Sequence, residues 1–320
     1  MDALSGVLQA VRLSGAIFFD IRASEPWVAE TPAGDAIVDA MFPGSEHLVC
    51  YHVITSGQCW AEVPGELPVL LTAGDVIVLP HGDTHVLTST PGLRRSPDMS
   101  LYRWPADGQL PVNISLGTAP TEAAHFVCGF LGCDARPYNP LLSALPRVLR
   151  VRDDVGTLAA YVQVALAESR EKRLGRASVL NRLSELMFVD VIRRYLETLP
   201  ADRADWLAGL RDPFIGRALT ALHRDPTREW TIESLAAEVA LSRSALAERF
   251  THFVGMPPMQ YLANWRMQLA ASHLLGGTDS VAAIANRVGY DSEAAFSRAF
   301  KKAVGSPPSE WRKQRSAGRP

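Results

Sequence analysis

Thr231-Ile-Glu-Ser-Leu-Ala-Ala-Glu-Val-Ala-Leu-Ser-Arg-Ser-Ala-Leu-Ala-Glu-Arg-Phe250 reads as two short helices separated by a tight turn. Thr231 and Ser242 are residues whose side-chain oxygens cap helix N-termini. Ile232, Leu235, Ala236 and Val239 form one apolar stripe, and Leu246 and Phe250 form another. Ala236 is small enough to let two helices cross closely. The pattern returns in Ser280-Val-Ala-Ala-Ile-Ala-Asn-Arg-Val-Gly-Tyr-Asp-Ser-Glu-Ala-Ala-Phe-Ser-Arg-Ala-Phe300. There Ile284, Ala285 and Val288 face inward, Gly289 turns the chain, Ser292 caps, and Phe296 and Phe300 pack. In both copies a phenylalanine lies eight residues after the capping serine. A helical stretch, Met259–Leu275, joins the copies, and Pro213–His223 adds one more helix, giving seven in all.

Charge follows the same division. The 320 residues carry a net charge of −2. Residues 213–320 hold 14 Lys and Arg against 9 Asp and Glu, and from Thr251 onward the balance is 9 against 4. A basic third on an acidic body suits a chain in which only that third meets phosphate. A 47% hydrophobic and 21% charged composition suits packed cores and excludes long-range disorder. No 18-residue apolar run and no secretory leader pattern are present, so the expectation is a cytoplasmic protein without membrane partners. Four cysteines are too few for a disulfide scaffold.

Gly289-Tyr290-Asp291-Ser292, Phe296-Ser297-Arg298-Ala299-Phe300-Lys301-Lys302, Gly305-Ser306-Pro307-Pro308 and Trp311-Arg312 resemble the signature of AraC/XylS-type transcription regulators. Gly255-Met256-Pro257-Pro258 before Tyr261 ends the first copy in the same way. The resemblance spans Asp212 to Arg312. It implies two helix-turn-helix units whose second helices enter major grooves of promoter DNA. On those helices the outward residues are Arg243, Ser244, Ala247 and Glu248, then Glu293, Ala294, Ser297 and Arg298. Arg can bond guanine and Glu can accept from cytosine. The small readers leave part of the specificity to DNA shape. Lys301, Lys302, Arg266 and Arg312 are candidate phosphate contacts, which position the protein without specifying sequence.

The first 125 residues read as β-structure. Leu48–Ile54, Cys59–Val63, Val69–Thr72 and Asp75–Leu79 are short apolar runs set apart by turn signals, including Thr55–Gln58, and they suggest an antiparallel barrel or sandwich. Pro91–Gly117, rich in Pro, Gly, Ser and Arg, reads as a loop. Gly74-Asp-Val-Ile-Val-Leu-Pro80-His-Gly82-Asp-Thr-His85 resembles the second cupin motif, G-x5-P-x-G-x2-H. That likeness implies a cupin-type sensor domain. The metal-binding Glu expected seven residues before Gly57 is Cys50, and the upstream His-x-His pair is missing, which counts against a cupin enzyme.

His81, His85, Cys128 and Cys133 could form a closed two-imidazole, two-thiolate set of the kind zinc favours. This requires Gly129 and Gly132 to bend the strand, because positions 128 and 133 otherwise face opposite ways. His52 and His125 are reserve ligands. The same thiols could instead act as a redox switch or be core residues, the reading that suits Cys50 and Cys59.

The expected fold class is α+β and multidomain: a cupin-like sensor domain at 1–150, an αα-hairpin connector at 151–211, and a DNA-binding domain with two helix-turn-helix units at 212–320. In the connector, Leu180, Leu183, Met187 and Val191 form a stripe that could pack on its own domain or make a dimer seam through 177–199. The function expected is a one-component transcription regulator, with RNA polymerase as a further partner. An oxidant- or metal-responsive regulator and a cupin enzyme fused to a DNA-binding module are the alternatives.

Overall fold

The computed structural model describes residues 2–11, 13–105, 110–171, 174–200 and 202–316. In chain order it opens with α1 (Ala3–Ala10), β1 (Ser14–Ala23), β2 (Val28–Thr31), α2 (Val38–Met41), β3 (His47–Glu62), β4 (Val69–Thr72), β5 (Asp75–Leu79) and β6 (His85–Thr88). Next come β7 (Val112–Leu116), β8 (Ala124–Cys133), α3 (Pro140–Ala144), β9 (Leu149–Arg152), α4 (Thr157–Arg170) and α5 (Arg176–Thr198). The rest is helical: α6 (Trp206–Arg211), α7 (Ile215–Arg224), α8 (Ile232–Val239), α9 (Arg243–Val254), α10 (Pro258–Gly276), α11 (Val281–Arg287), α12 (Glu293–Val304) and α13 (Pro308–Ser316). Among the described residues, seven helices follow Asp212, as the repeated pattern predicts.

Two compact units emerge: Leu13–Cys133 with Leu145–Thr198, and Met1–Arg12 with Asp134–Ala144 and Leu199–Pro320. The division differs from boundaries placed at 150 and 211. The α4–α5 hairpin folds with the strands, whereas α1 and α3 fold with the C-terminal helices.

The strand unit is a curled, cupin-like sheet with the path β2-β6-β3-β8-β1-β7; β4 and β5 also pair with β3, and β9 pairs with β5. Every pairing is antiparallel except β1 with β7, where Phe19 lies opposite Val112. Part of the expected 91–117 loop is therefore strand. The turn expected at 55–58 is also absent. β3 runs through it with a register shift between Ile54 and Ser56, pairing with β8 on both sides of the shift as far as Gly57 and with β4 from Gln58 onward. Gly57 permits this with φ +72°; a Cβ there would meet the Ala123 carbonyl oxygen at 1.9 Å. Strand parity sorts the side chains. Cys50, Ile54, Phe126, Cys128 and Phe130 face the barrel interior, and Tyr51, Val76, Val78 and Leu131 face α5.

Helix α5 covers that outer face with Leu180, Ser184, Met187, Phe188, Val191 and Ile192, all buried at three- and four-residue steps. Each large apolar side chain so buried contributes roughly 1.5–3 kcal/mol. Three members of the proposed seam, Leu180, Met187 and Val191, are thus used up inside the strand unit, because a strand face this apolar has to be covered. Leu183 is half-buried, and Val179 and Leu186 are the exposed apolar positions of α5.

Candidate nucleic-acid interface and sensor cavity

In the helical unit, the first reader is built from capping. Thr231 Oγ1 accepts from the Ser234 amide and Ser234 returns the bond to the Thr231 amide, which fixes the start of α8. Ser242 Oγ accepts from the Ala245 amide at the start of α9, and Ser292 Oγ does the same from Ala295 at α12, both at 3.2 Å. Leu246 and Phe250 on α9, and Phe296 and Phe300 on α12, are fully buried. That burial turns the opposite faces outward: Arg243, Ser244, Glu248, Glu293, Ala294, Arg298, Lys301 and Lys302 are exposed, and Ala247 and Ser297 are half-buried. Arg243 pairs with Glu233 at 2.8 Å in an exposed ion pair of small energetic weight. Among the described residues, no hydrogen bond or ion pair engages the side chain of Arg298, Lys301 or Lys302, so their side-chain donors are unclaimed.

Two expected phosphate contacts have other work. Arg266 donates to the carbonyls of Pro226 at 2.7 Å, Gly289 at 3.2 Å and Arg228 at 3.0 Å. Arg312 donates to the carbonyls of Leu274 at 3.1 Å and Asp279 at 2.7 Å, satisfying the end of α10. Both guanidiniums are spent on the backbone and hold the unit together. A positioning residue that the sequence reading missed is Arg249 on α9, which ion-pairs with Asp212. Asp212 also accepts from the Phe214 and Ile215 amides, tying α9 to the start of α7. These bonds hold its carboxyl below its ordinary range despite the opposing cost of burial.

The strand unit encloses a cavity of about 280 Å³ lined by Phe19, Ile21, Leu87, Leu101, Tyr102, Phe130 and others, with His52 and Cys128 in its wall and Arg95 and Asp98 among its polar lining. His52 and Cys128 are register partners on β3 and β8. His52 Nδ1 lies 2.7 Å from Cys128 Sγ, and His52 Nε2 lies 2.6 Å from His85 Nε2. His85 Nδ1 is 2.8 Å from the Asp83 carbonyl oxygen. The proton order follows. A carbonyl only accepts, so His85 Nδ1 carries the hydrogen and its Nε2 accepts. His52 Nε2 therefore donates, and Cys128 S–H donates to His52 Nδ1. Burial favours this neutral chain: it pushes His85 down to about 4, His52 well below its usual value and the Cys128 thiol well up.

The four-ligand zinc set does not assemble. Cys128 belongs to the interior cluster, but Cys133 lies opposite His47, five residues along a regular β8 and so roughly 17 Å away. That separation also excludes a Cys128–Cys133 disulfide. The glycines do not bend the strand. Gly129 makes room for Tyr51, whose ring a Cβ would meet at 2.1 Å, and Gly132 accommodates Phe42 and Ser45. His81 bonds the Leu145 carbonyl at 3.0 Å, and the reserve His125 pairs with Asp20 at 2.5 Å. Among the described residues no group of three His, Cys, Asp or Glu is arranged to hold a metal ion. The reserve residue His52 is the one that joins His85 and Cys128. Its even spacing from Cys50 on one strand was the available signal for an inward position. Cys50 and Cys59 are core residues as expected, with thiols pushed up by burial, Cys59 to about 12.

Family models described as a cupin and as a helix-turn-helix domain match residues 2–197 and 235–314. A putative AraC-like transcription regulator of Streptomyces lividans is 33% identical over 318 residues, covering 98% of both chains. The regulator AlkR of Acinetobacter baylyi is 28% identical, over 98% of this chain and all of its own. The DNA-binding domain of AdpA, solved in complex with a target DNA, is 29% identical over 34% of this chain and 97% of its own, with a TM-score of 0.33. No helix among the described residues is long and apolar enough to cross a membrane. With a cupin half, two capped helix-turn-helix units and this full-length similarity, the chain belongs to the AraC-like transcription regulators.

Proposed function

We propose that the protein is a one-component switch in which a small-molecule effector occupies the barrel cavity while α9 and α12 read two successive major grooves of promoter DNA. The observation that carries the DNA reading is the pair of capped helices with phenylalanines buried on one face and unclaimed polar groups on the other. Arg243, Ser244, Ala247 and Glu248 then face one groove, and Glu293, Ala294, Ser297 and Arg298 the next. Lys301 and Lys302 meet phosphate. The cavity binds rather than converts its ligand, in keeping with relatives that are regulators. A homodimer through 177–199 suits Val179 and Leu186, the exposed apolar positions of α5. Such a protein works in the cytoplasm beside RNA polymerase.

Genomic footprinting identifies the operator, and two substitutions then test the assignment. Arg298→Ala costs about 1–3 kcal/mol and relaxes preference at one base pair; Lys302→Ala weakens all sequences alike and lowers the salt slope by about one. Equal, sequence-independent losses for both would reduce Arg298 to a phosphate contact.

A further inference from the structure

We propose that Cys128 is a covalent capture site for a soft carbon electrophile, an α,β-unsaturated carbonyl compound, with His52 as its base and His85 as the residue that positions His52. The inference rests on reading the cavity as the effector site, and it names the chemical class of that effector. Of the four cysteines, Cys128 alone lines this cavity; Cys50 and Cys59 are buried in the same interior cluster without lining it, and Cys133 is buried outside that cluster. A thiol beside an imidazole that is itself oriented by a third group is the arrangement of an activated nucleophile. Here the third group is His85, fixed by the Asp83 carbonyl.

The walls argue for the ligand's character. Phe19, Ile21, Leu87, Leu101 and Phe130 offer apolar contact. A volume near 280 Å³ lies just below the usual range for ligand pockets, roughly 300–1,000 Å³. A compact, mostly apolar molecule with one reactive carbon fits this lining. Burial keeps both partners uncharged at rest, so thiol attack requires the proton to move to His52 as the bond forms.

The step balances without an added oxidant or reductant. Cys128 Sγ bonds to the β-carbon as the carbon–carbon π bond breaks, and that electron pair moves to the α-carbon and carbonyl. The thiol proton passes to His52 Nδ1 and from there to the α-carbon. The products are a thioether and a saturated carbonyl, with His52 neutral again. During transfer the imidazolium at His52 is stabilised by the lone pair on His85 Nε2, which a neutral His85 presents to it.

The test uses the full-length protein, with 3-hexen-2-one and its saturated counterpart 2-hexanone as probes. Intact-mass spectrometry and peptide mapping follow adducts, and thermal denaturation follows occupancy. The expected result is one thioether on Cys128, formed ahead of any on Cys50, Cys59 or Cys133. Loss of general-base assistance slows a reaction typically 10²–10⁴-fold, so His52→Gln is expected to slow the adduct by at least about tenfold. Cys128→Ser is expected to remove the fast adduct. The distribution among four thiols in the unsubstituted protein needs no variant to fold. Equal labelling of all four thiols, or an undiminished rate in folded His52→Gln, would overturn the capture site. If both ketones raise Tm equally and no adduct forms, the effector cavity stands and covalent capture falls. If neither ketone shifts Tm and none attaches, the cavity reading itself falls.

Discussion

His223 lies flat on Trp265 with ring centroids 4.0 Å apart, and its Nε2 is 2.7 Å from the Tyr261 hydroxyl. Its Nδ1 has no hydrogen-bond partner among the described residues. Burial pushes its pKa down to about 3; the opposing influence is the carboxylate of Asp2, the cap of α1. The folded state therefore keeps His223 neutral where the unfolded chain, near 6.5, takes up a proton. The unfolded state then binds more protons, so stability falls as pH drops from about 6.5 toward 3. The loss is at most about 1.4 kcal/mol per pH unit for this group. Urea denaturation at pH 7 and pH 5 checks it: His223→Gln is expected to flatten the decline, and an unchanged slope would assign the acid sensitivity to other histidines. None of this was legible from one His in a helical stripe, because the ring's neighbours come from α10 and from the chain's own N-terminus.

At the scale of elements, the two helix-turn-helix turns solve one problem with different residues. In the first, Ala240 adopts φ 59° and the Leu241 amide bonds the Ala236 carbonyl at 3.0 Å. In the second, Gly289 adopts φ 82° and the Tyr290 amide bonds the Ala285 carbonyl at 2.9 Å. Both are left-handed helix stops of the Schellman kind. The second turn holds one further residue, Asp291, before its cap. A left-handed alanine costs about 1–2 kcal/mol, part of which glycine returns as unfolded-state entropy. Ala240→Gly is thus expected to raise stability by up to about 1 kcal/mol, read by thermal denaturation. Gly289→Ala is expected to lower it by more, since its Cβ would also stand 2.9 Å from Thr227 Cα and 3.0 Å from the Arg266 guanidinium. Equal effects of opposite sign would show that backbone strain alone governs both turns. The strands were less legible. The turn residues at 55–58 mark a register shift within β3, since a strand that pairs with β8 and then with β4 must bend between them.

At the scale of the whole molecule, the helical unit is closed by segments distant in sequence. Gln268, fully buried on α10, donates to the Ala10 carbonyl at 3.2 Å and accepts from the Tyr138 amide at 3.0 Å. One side chain so satisfies the backbone of the stretches ending α1 and preceding α3. Gln268→Ala leaves a buried acceptor and a buried donor unpaired, each costing about 1–3 kcal/mol. A drop of that order in unfolding free energy is expected, with faster amide exchange at Tyr138; exchange unchanged there would show that other contacts hold the segment.

What the sequence determined by itself were the features carried by local periodicity and capping. The seven helices described after Asp212, the outward positions of α9 and α12, and the β character of the first part of the chain were legible, because a 3.6-residue stripe or a two-residue alternation is a property of neighbours along the chain, whereas strand ends and register were not. Tertiary structure decided which charges remain available and which side chains meet. Arg266 and Arg312 look like phosphate contacts until the carbonyls of Gly289, Leu274 and Asp279 arrive from other elements to claim them. His52, His85 and Cys128 come from β3, β6 and β8, and they meet because pairing register, a long-range choice that shifts every side chain's face if it slips by one residue, sets His52 opposite Cys128.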